Sequence, residues 1–273
     1  MFTTQEATSN SGLAFKTLAL IYHSTVRDVR KSHGNALIGL VMNILQTVIF
    51  VGAFFAMFSF LGMRGAAIRG DFLLYIMTGI FLFLTHTKAM GAVVGSEGPA
   101  SPMMKHRTMN TVIAITAAAL SSLYIQVLSM VVVLFFYHVI FTPITIYDPV
   151  GAFAMVLMSW FTGVAIGMVF LAIKPWSPGF TKLGSTIYSR ANMIASGKMF
   201  VANTLPSSML VMFDWNPLFH TIDQARGYTF INYFPHNSSS LYPFYVALGC
   251  LMLGLMGEFY TRKRASVSWG AKL

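Results

Sequence analysis

Long stretches of this chain are apolar at almost every position, and short polar intervals separate them. A run that is apolar on all sides suits a helix surrounded by lipid or buried in a bundle. A hydrocarbon core of ~30 Å needs about 20 such residues. Five runs meet that length: 37–61, 72–94, 111–141, 150–173 and 242–260. The second is interrupted by His86 and Lys88, and the last is clean until Glu258. A weaker sixth run, 184–205, carries Arg190 and Lys198 and is read as the fifth span in chain order. Charged groups inside spans face protein or water rather than lipid. Ahead of the first span, Lys16, His23, Arg27 and Arg30 recur at helical spacing, while Ala14, Leu18, Ile21, Tyr22 and Val29 take another face. This pattern predicts an amphipathic helix over 14–31, either lying in the headgroup plane or capping the bundle. Gly163 and Gly167 form a small-xxx-small pair that permits close helix approach, as do Gly91 and Gly95. The predicted class is an all-α membrane protein with one domain over 1–273.

Composition agrees with the pattern. Of 273 residues, 56% are hydrophobic and 10% charged, against about 25% charged in an average soluble domain. The lone Cys250 makes no disulfide framework. A net charge of +10 would suggest nucleic acid as the partner of a soluble protein. Here the basic residues sit beside apolar runs, so membrane orientation explains them better and no nucleic-acid partner is expected. With the N-terminus inside, twelve Lys and Arg fall on inner segments and Arg64, Arg69 and Arg226 on outer ones. The expectation is six spans with both termini cytoplasmic. The N-terminus lacks the layout of a cleaved signal peptide, which leaves insertion to the first span.

The chemistry of an enzyme is not evident. Gly197-Lys198 lacks the rest of a phosphate-binding loop, the histidines show no metal-ligand spacing, and no carboxylate pair sits mid-span. No catalytic, metal or cofactor residue is therefore predicted in this chain. Two segments attract attention instead. The loop 95–110 holds Glu97, Gly98, Pro99, Pro102, Lys105 and Arg107. Its prolines stop the preceding helix, and it is either a grip for a partner or a solvated connector. The segment Asp214–Gly227, DWNPLFHTIDQARG, breaks the apolar pattern before the last span. Asn216-Pro217 ends one helix and starts another. His220, Asp223 and Gln224 then share a face, and Asp223 is spaced to pair with Arg226. Irregular backbone at membrane depth must line water or be buried in protein, which leaves a gate or a structural hairpin.

Several stretches resemble the ABC-type (ABC-2) inner-membrane permeases of capsular polysaccharide export. These are LIYHSTVRDVRKSHGNALIGLVMN, FLLYIMTG, GAVVGSEG with MKHRTMNTVIA, SGKMFVANTLP, the tail YTRKRAS, and most specifically Trp215-Asn216-Pro217-Leu218 followed by His220 and Arg226. The resemblance covers nearly the whole chain, although MMKHRTMN lacks the prolines that follow this cluster in the family. It implies a homodimer of this chain in a bacterial inner membrane, above two copies of an ABC ATPase that bind ATP and Mg. It implies contact with the ATPase through Glu97, Gly98, Pro99, Lys105 and Arg107, and through Arg27 and Arg30. It implies a re-entrant periplasmic gate containing Trp215, Asn216, Pro217, His220, Asp223 and Arg226. The cargo would be a lipid-linked polysaccharide, passed on to a periplasmic co-polymerase and an outer-membrane exporter. Tyr124, Trp160 and Tyr188 are candidate sugar-stacking residues of the channel, with packed aromatics as the ordinary alternative. Other cargoes of the same machine would be O-antigen, teichoic acid or a small drug. Outside that class stand a secondary carrier and a membrane-embedded glycosyl-lipid transferase.

Overall fold

The computed structural model describes residues 10–31, 36–62, 70–96 and 110–264. Their regular secondary structure is all helical, with no strand among the described residues. In chain order the helices are α1 (Asn10–Lys31), α2 (Ala36–Phe60), α3 (Phe72–Gly95), α4 (Thr111–Ile140) and α5 (Pro149–Ile173). Then come α6 (Pro178–Ala195), α7 (Ser207–Phe213), α8 (Pro217–Thr229) and α9 (Leu241–Arg264). Five of them, α2, α3, α4, α5 and α9, are long and apolar enough to cross a membrane. Their bounds fall within a few residues of the five strong hydrophobic runs.

The helix starts follow local chemistry. Asp71 accepts hydrogen bonds from the Leu73 and Leu74 amides, and Asp148 from Val150 and Gly151. Asn110 and Asn216 cap α4 and α8 in the same way. Pro149, Pro178 and Pro217 open their helices at the first turn, where a missing N–H costs nothing.

Helix α3 is the centre of the bundle, and α5 lies along it, with α9 on the far side of α5. Small residues set the α3–α5 distance. A Cβ at Gly163 would stand 2.3 Å from the His86 carbonyl oxygen, and one at Gly167 would stand 2.9 Å from Val93 Cβ. The Gly163/Gly167 spacing is thus a true packing seam. Gly91 and Gly95 are not: a Cβ at either would meet open space. Across the next interface a Cβ at Gly254 would come within 2.6 Å of Met168 Cβ. Helix α1 packs along α4, and its Phe15, Leu18 and Tyr22 remain exposed.

The two ends of the bundle differ. At one end Lys174 Nζ donates to the Val94 carbonyl, and the Trp176 indole donates to Thr261. At the other, Tyr137 and Thr142 donate to Asp71, and the Tyr147 and Asp148 amides donate to the Thr229 and Tyr228 carbonyls. Burial pushes the Asp71 carboxyl up, but these hydroxyls and the Leu74 and Leu73 amides outweigh burial and hold it below its ordinary value.

The expected continuous span over 184–205 does not form as one helix. Helix α6 stops at Ala195, and Gly197 takes a left-handed φ of 75°. That conformation is strained for any residue with a side chain. It turns the chain out of the helix into a short 3-10 turn over Ala202–Thr204 and then α7.

Candidate functional site

The segment after α6 is built on Arg226. Its Nη1 donates to the Gly197 carbonyl at 2.9 Å and the Phe200 carbonyl at 2.7 Å, and its Nη2 to the Lys198 carbonyl at 2.9 Å. The guanidinium also stacks over Tyr75, 4.2 Å from the ring centroid. Beyond the end of α6 the backbone leaves the helical pattern, where an apolar environment cannot satisfy its carbonyls, and the forked donors of one arginine meet three of them. The expected Asp223–Arg226 pair is overturned by this geometry. Arg226 faces the broken backbone, while Asp223 accepts from Tyr233 Oη and from Ser238 Oγ at 2.7 Å.

The expected shared face of His220, Asp223 and Gln224 is present, and its target is the stretch Ser238–Ser239. Gln224 Nε2 donates to Ser238 O and Oγ at 3.0 Å. His220 Nδ1 accepts from the Ser239 amide at 3.1 Å. The proton of a neutral ring then sits on Nε2, which lies 2.6 Å from the Asp214 carbonyl. Asn216 does a second job beyond its cap: its Nδ2 donates to Asn192 Oδ1 and to the Ala195 carbonyl, both at 2.9 Å. The start of α8 is thereby tied to the end of α6. Burial raises the Tyr233 hydroxyl far above its ordinary value, and the Asp223 carboxylate adds to this.

Position along α3 gives the course of the segment. Gly79 receives Lys198, Tyr75 receives Arg226, and Gly70 receives Phe230. Helix α8 therefore runs along the first two turns of α3 toward the end that holds Asp71. Of the predicted gate residues, Asn216, His220, Asp223 and Arg226 are each no more than 4% exposed, while Trp215 is 65% exposed. Lys198 is buried as well. Its ammonium lies 3.7 Å from the centroid of Phe83, 4.6 Å from Phe54 and 5.6 Å from Phe50, with no hydrogen-bond partner among the described residues. Three ring faces take the place of water around the charge.

The predicted channel aromatics do not come together. Tyr124 is exposed on α4, in an apolar groove of about 760 Å³ beneath α1 that Arg30 also borders. Trp160 ties α5 to α4 by donating its indole N–H to the Ala119 carbonyl at 2.9 Å. Tyr188 lies 3.0 Å from His86 Nε2, and the other ring nitrogen of His86 meets Thr162 Oγ1 and the Ser159 carbonyl. Arg27 reaches Asp28 at 3.4 Å on the exposed side of α1. Glu97, Gly98, Pro99, Lys105 and Arg107 lie outside the described residues.

Sequence reasoning missed a cleft of about 610 Å³ between α2, α3 and α4, whose largely apolar walls carry Asn43, Gln46, Lys88 and Gln126. Asn43 Nδ2 donates to Ser129 Oγ at 2.9 Å, and Gln126 Nε2 donates to Asn43 Oδ1 at 3.3 Å. Lys88 Nζ donates to Gln46 Oε1 at 2.6 Å. The signal was available. Asn43, Gln46 and Gln126 are the amide side chains of the first and third runs, and polar side chains in spans face protein or water.

No family model matches the chain, and none of the curated proteins matches it at a significant level.

Proposed function

We propose that this chain is the membrane subunit of an ABC-type exporter, which moves a lipid-anchored polysaccharide of the capsule type across a bacterial inner membrane. A separate ATPase subunit, holding ATP and Mg, supplies the work. One observation carries the reading. Asn216, Leu218, His220 and Arg226 of the motif on which the family resemblance rests are buried, and Asn216 and Arg226 bond to the backbone where α6 breaks, while Trp215 stays exposed. Asn216 reaches back to Ala195, while Asn203 Nδ2 reaches the Phe234 carbonyl at 2.7 Å in the loop beyond α8. The chain therefore goes out to Asn203, returns through α7, and goes out again through α8. We read α7–α8 as a re-entrant pair at the outer mouth. The fifth of six crossings is then α6 together with the segment to Leu205. Orientation is supported by Lys174, Lys263 and Arg264, which stand at the end opposite this pair. A homodimer would place two such pairs around one path, and α1 with the loop 95–110 would receive the force.

The test is co-expression with a candidate ABC ATPase subunit from the same organism, followed by purification and analysis of polymer in cells. The expected result is a complex of two copies of each, with polymer held inside cells when this chain is deleted. A chain that purifies with no ATPase, with surface polymer unchanged by its deletion, overturns the reading.

A further inference from the structure

The cleft between α2, α3 and α4 holds a cation without an acid. Lys88 lies seven residues from the end of α3, roughly 10 Å by helical rise, so its ammonium sits within the depth of the span. Among the described residues no carboxylate lines the cleft. The ammonium has three donors, and one is used on Gln46 Oε1. That bond points the Gln46 amide nitrogen away from Lys88, and among the described residues its N–H groups meet no acceptor. The remaining wall hydroxyls are already committed as donors to their own helices: Thr87 to the Phe83 carbonyl, Ser121 to Ala118 and Ser122 to Ala119. Beside Lys88, one turn further along α3, Gly91 faces open space. The cleft thus offers N–H donors on Lys88 and on Gln46, one positive charge, and a side kept clear by the lack of a side chain.

We propose that this cleft is a binding site for a phosphate group, with the Lys88 ammonium and the Gln46 amide as its donors. A phosphate has the several strong acceptor oxygens that such a set can serve, and lysine acts on phosphate as a point charge. It would also balance a charge that is otherwise costly at this depth. The phosphate arrives either as the headgroup of a lipid or as the free ion. The site stands on the cleft alone and does not rest on the export reading.

The full-length chain, purified without any ATPase, is tested by native mass spectrometry. The probes are phosphatidylglycerol, diacylglycerol (which lacks the phosphate) and inorganic phosphate. The wild type is expected to retain phosphatidylglycerol about tenfold better than diacylglycerol. Displacement by inorganic phosphate would assign the site to the phosphate itself, and resistance to displacement would assign it to the lipid headgroup. Lys88→Met and Gln46→Leu are expected to lose that preference. Gly91→Leu keeps the charge and fills the open side, and it is expected to lose binding as well, which preserves the test if Lys88→Met does not fold. Equal retention of both lipids by the wild type with no binding of inorganic phosphate, or retention unchanged in the folded variants, overturns the proposal. Neither result bears on ATPase association, so this proposal and the export reading fail separately.

Discussion

Arg226 shows how one side chain can replace a turn of helix. Its bonds to the carbonyls of Gly197, Lys198 and Phe200 are charge-assisted, and they act in a buried site. Bonds of this kind contribute roughly 1.5–3 kcal/mol each. Arg226→Met is therefore expected to lower thermal stability in detergent by at least roughly 3 kcal/mol. Arg226→Lys should recover only part of it, because a point charge does not reproduce a planar fork. Melting curves of the two variants check this, and a lysine variant as stable as the wild type would contradict the clamp. Tyr233 gives a pH dependence of known sign. Its folded hydroxyl titrates above the ordinary value of 10.0. The fold therefore favours the neutral form, and the stabilisation is fully present below pH 10 and is lost as pH rises above it. The alkaline fall in melting temperature should be shallower in Tyr233→Phe than in wild type when both are scanned upward from pH 8.

Between elements, glycine decides which helices touch. Gly163→Ala would press a methyl against the His86 carbonyl, and such overpacking costs about 1–3 kcal/mol. Gly91→Ala meets open space and should be neutral or raise stability by up to about 1 kcal/mol, since alanine is the better helix former. Unfolding of the pair in one detergent separates the two cases. The same glycines mark the limits of reading a sequence. Length and apolarity placed α2, α3, α4, α5 and α9 to within a few residues, because lipid imposes both. Gly163–Gly167 and Gly91–Gly95 have identical spacing, yet only the first is a seam. Spacing carries no information about which neighbour stands opposite. The break at Gly197 was hidden for a related reason. Residues 184–205 are apolar enough to continue as helix, and what permits them to stop is Arg226, twenty-nine residues further on. Asp223 and Arg226 were suitably spaced to pair, but the free carbonyls and Tyr75 compete for the arginine, and Tyr233 and Ser238 for the acid. Hydrogen bonds across the bundle also took Trp160 and Tyr188 away from any common face.

On the scale of the whole molecule, the ends of the bundle sort the chain into two sides. The contacts of Lys174 and Trp176 define one, and those of Asp71 and Asp148 define the other. A phosphatase reporter fused after Asn237 is expected to be active outside the membrane, and one fused after Arg264 inactive. The same signal from both fusions would overturn the assigned sides. Lys198 adds a consequence for chemistry on the intact protein. Its amine is enclosed by three phenyl rings, whereas Lys182 on α6 and Lys263 on α9 are exposed. An acylating reagent should mark the exposed lysines within minutes and reach Lys198 only when the broken segment swings away from α3. Its slow labelling would then act as a clock, counting how often the segment opens and whether a working partner makes it open faster.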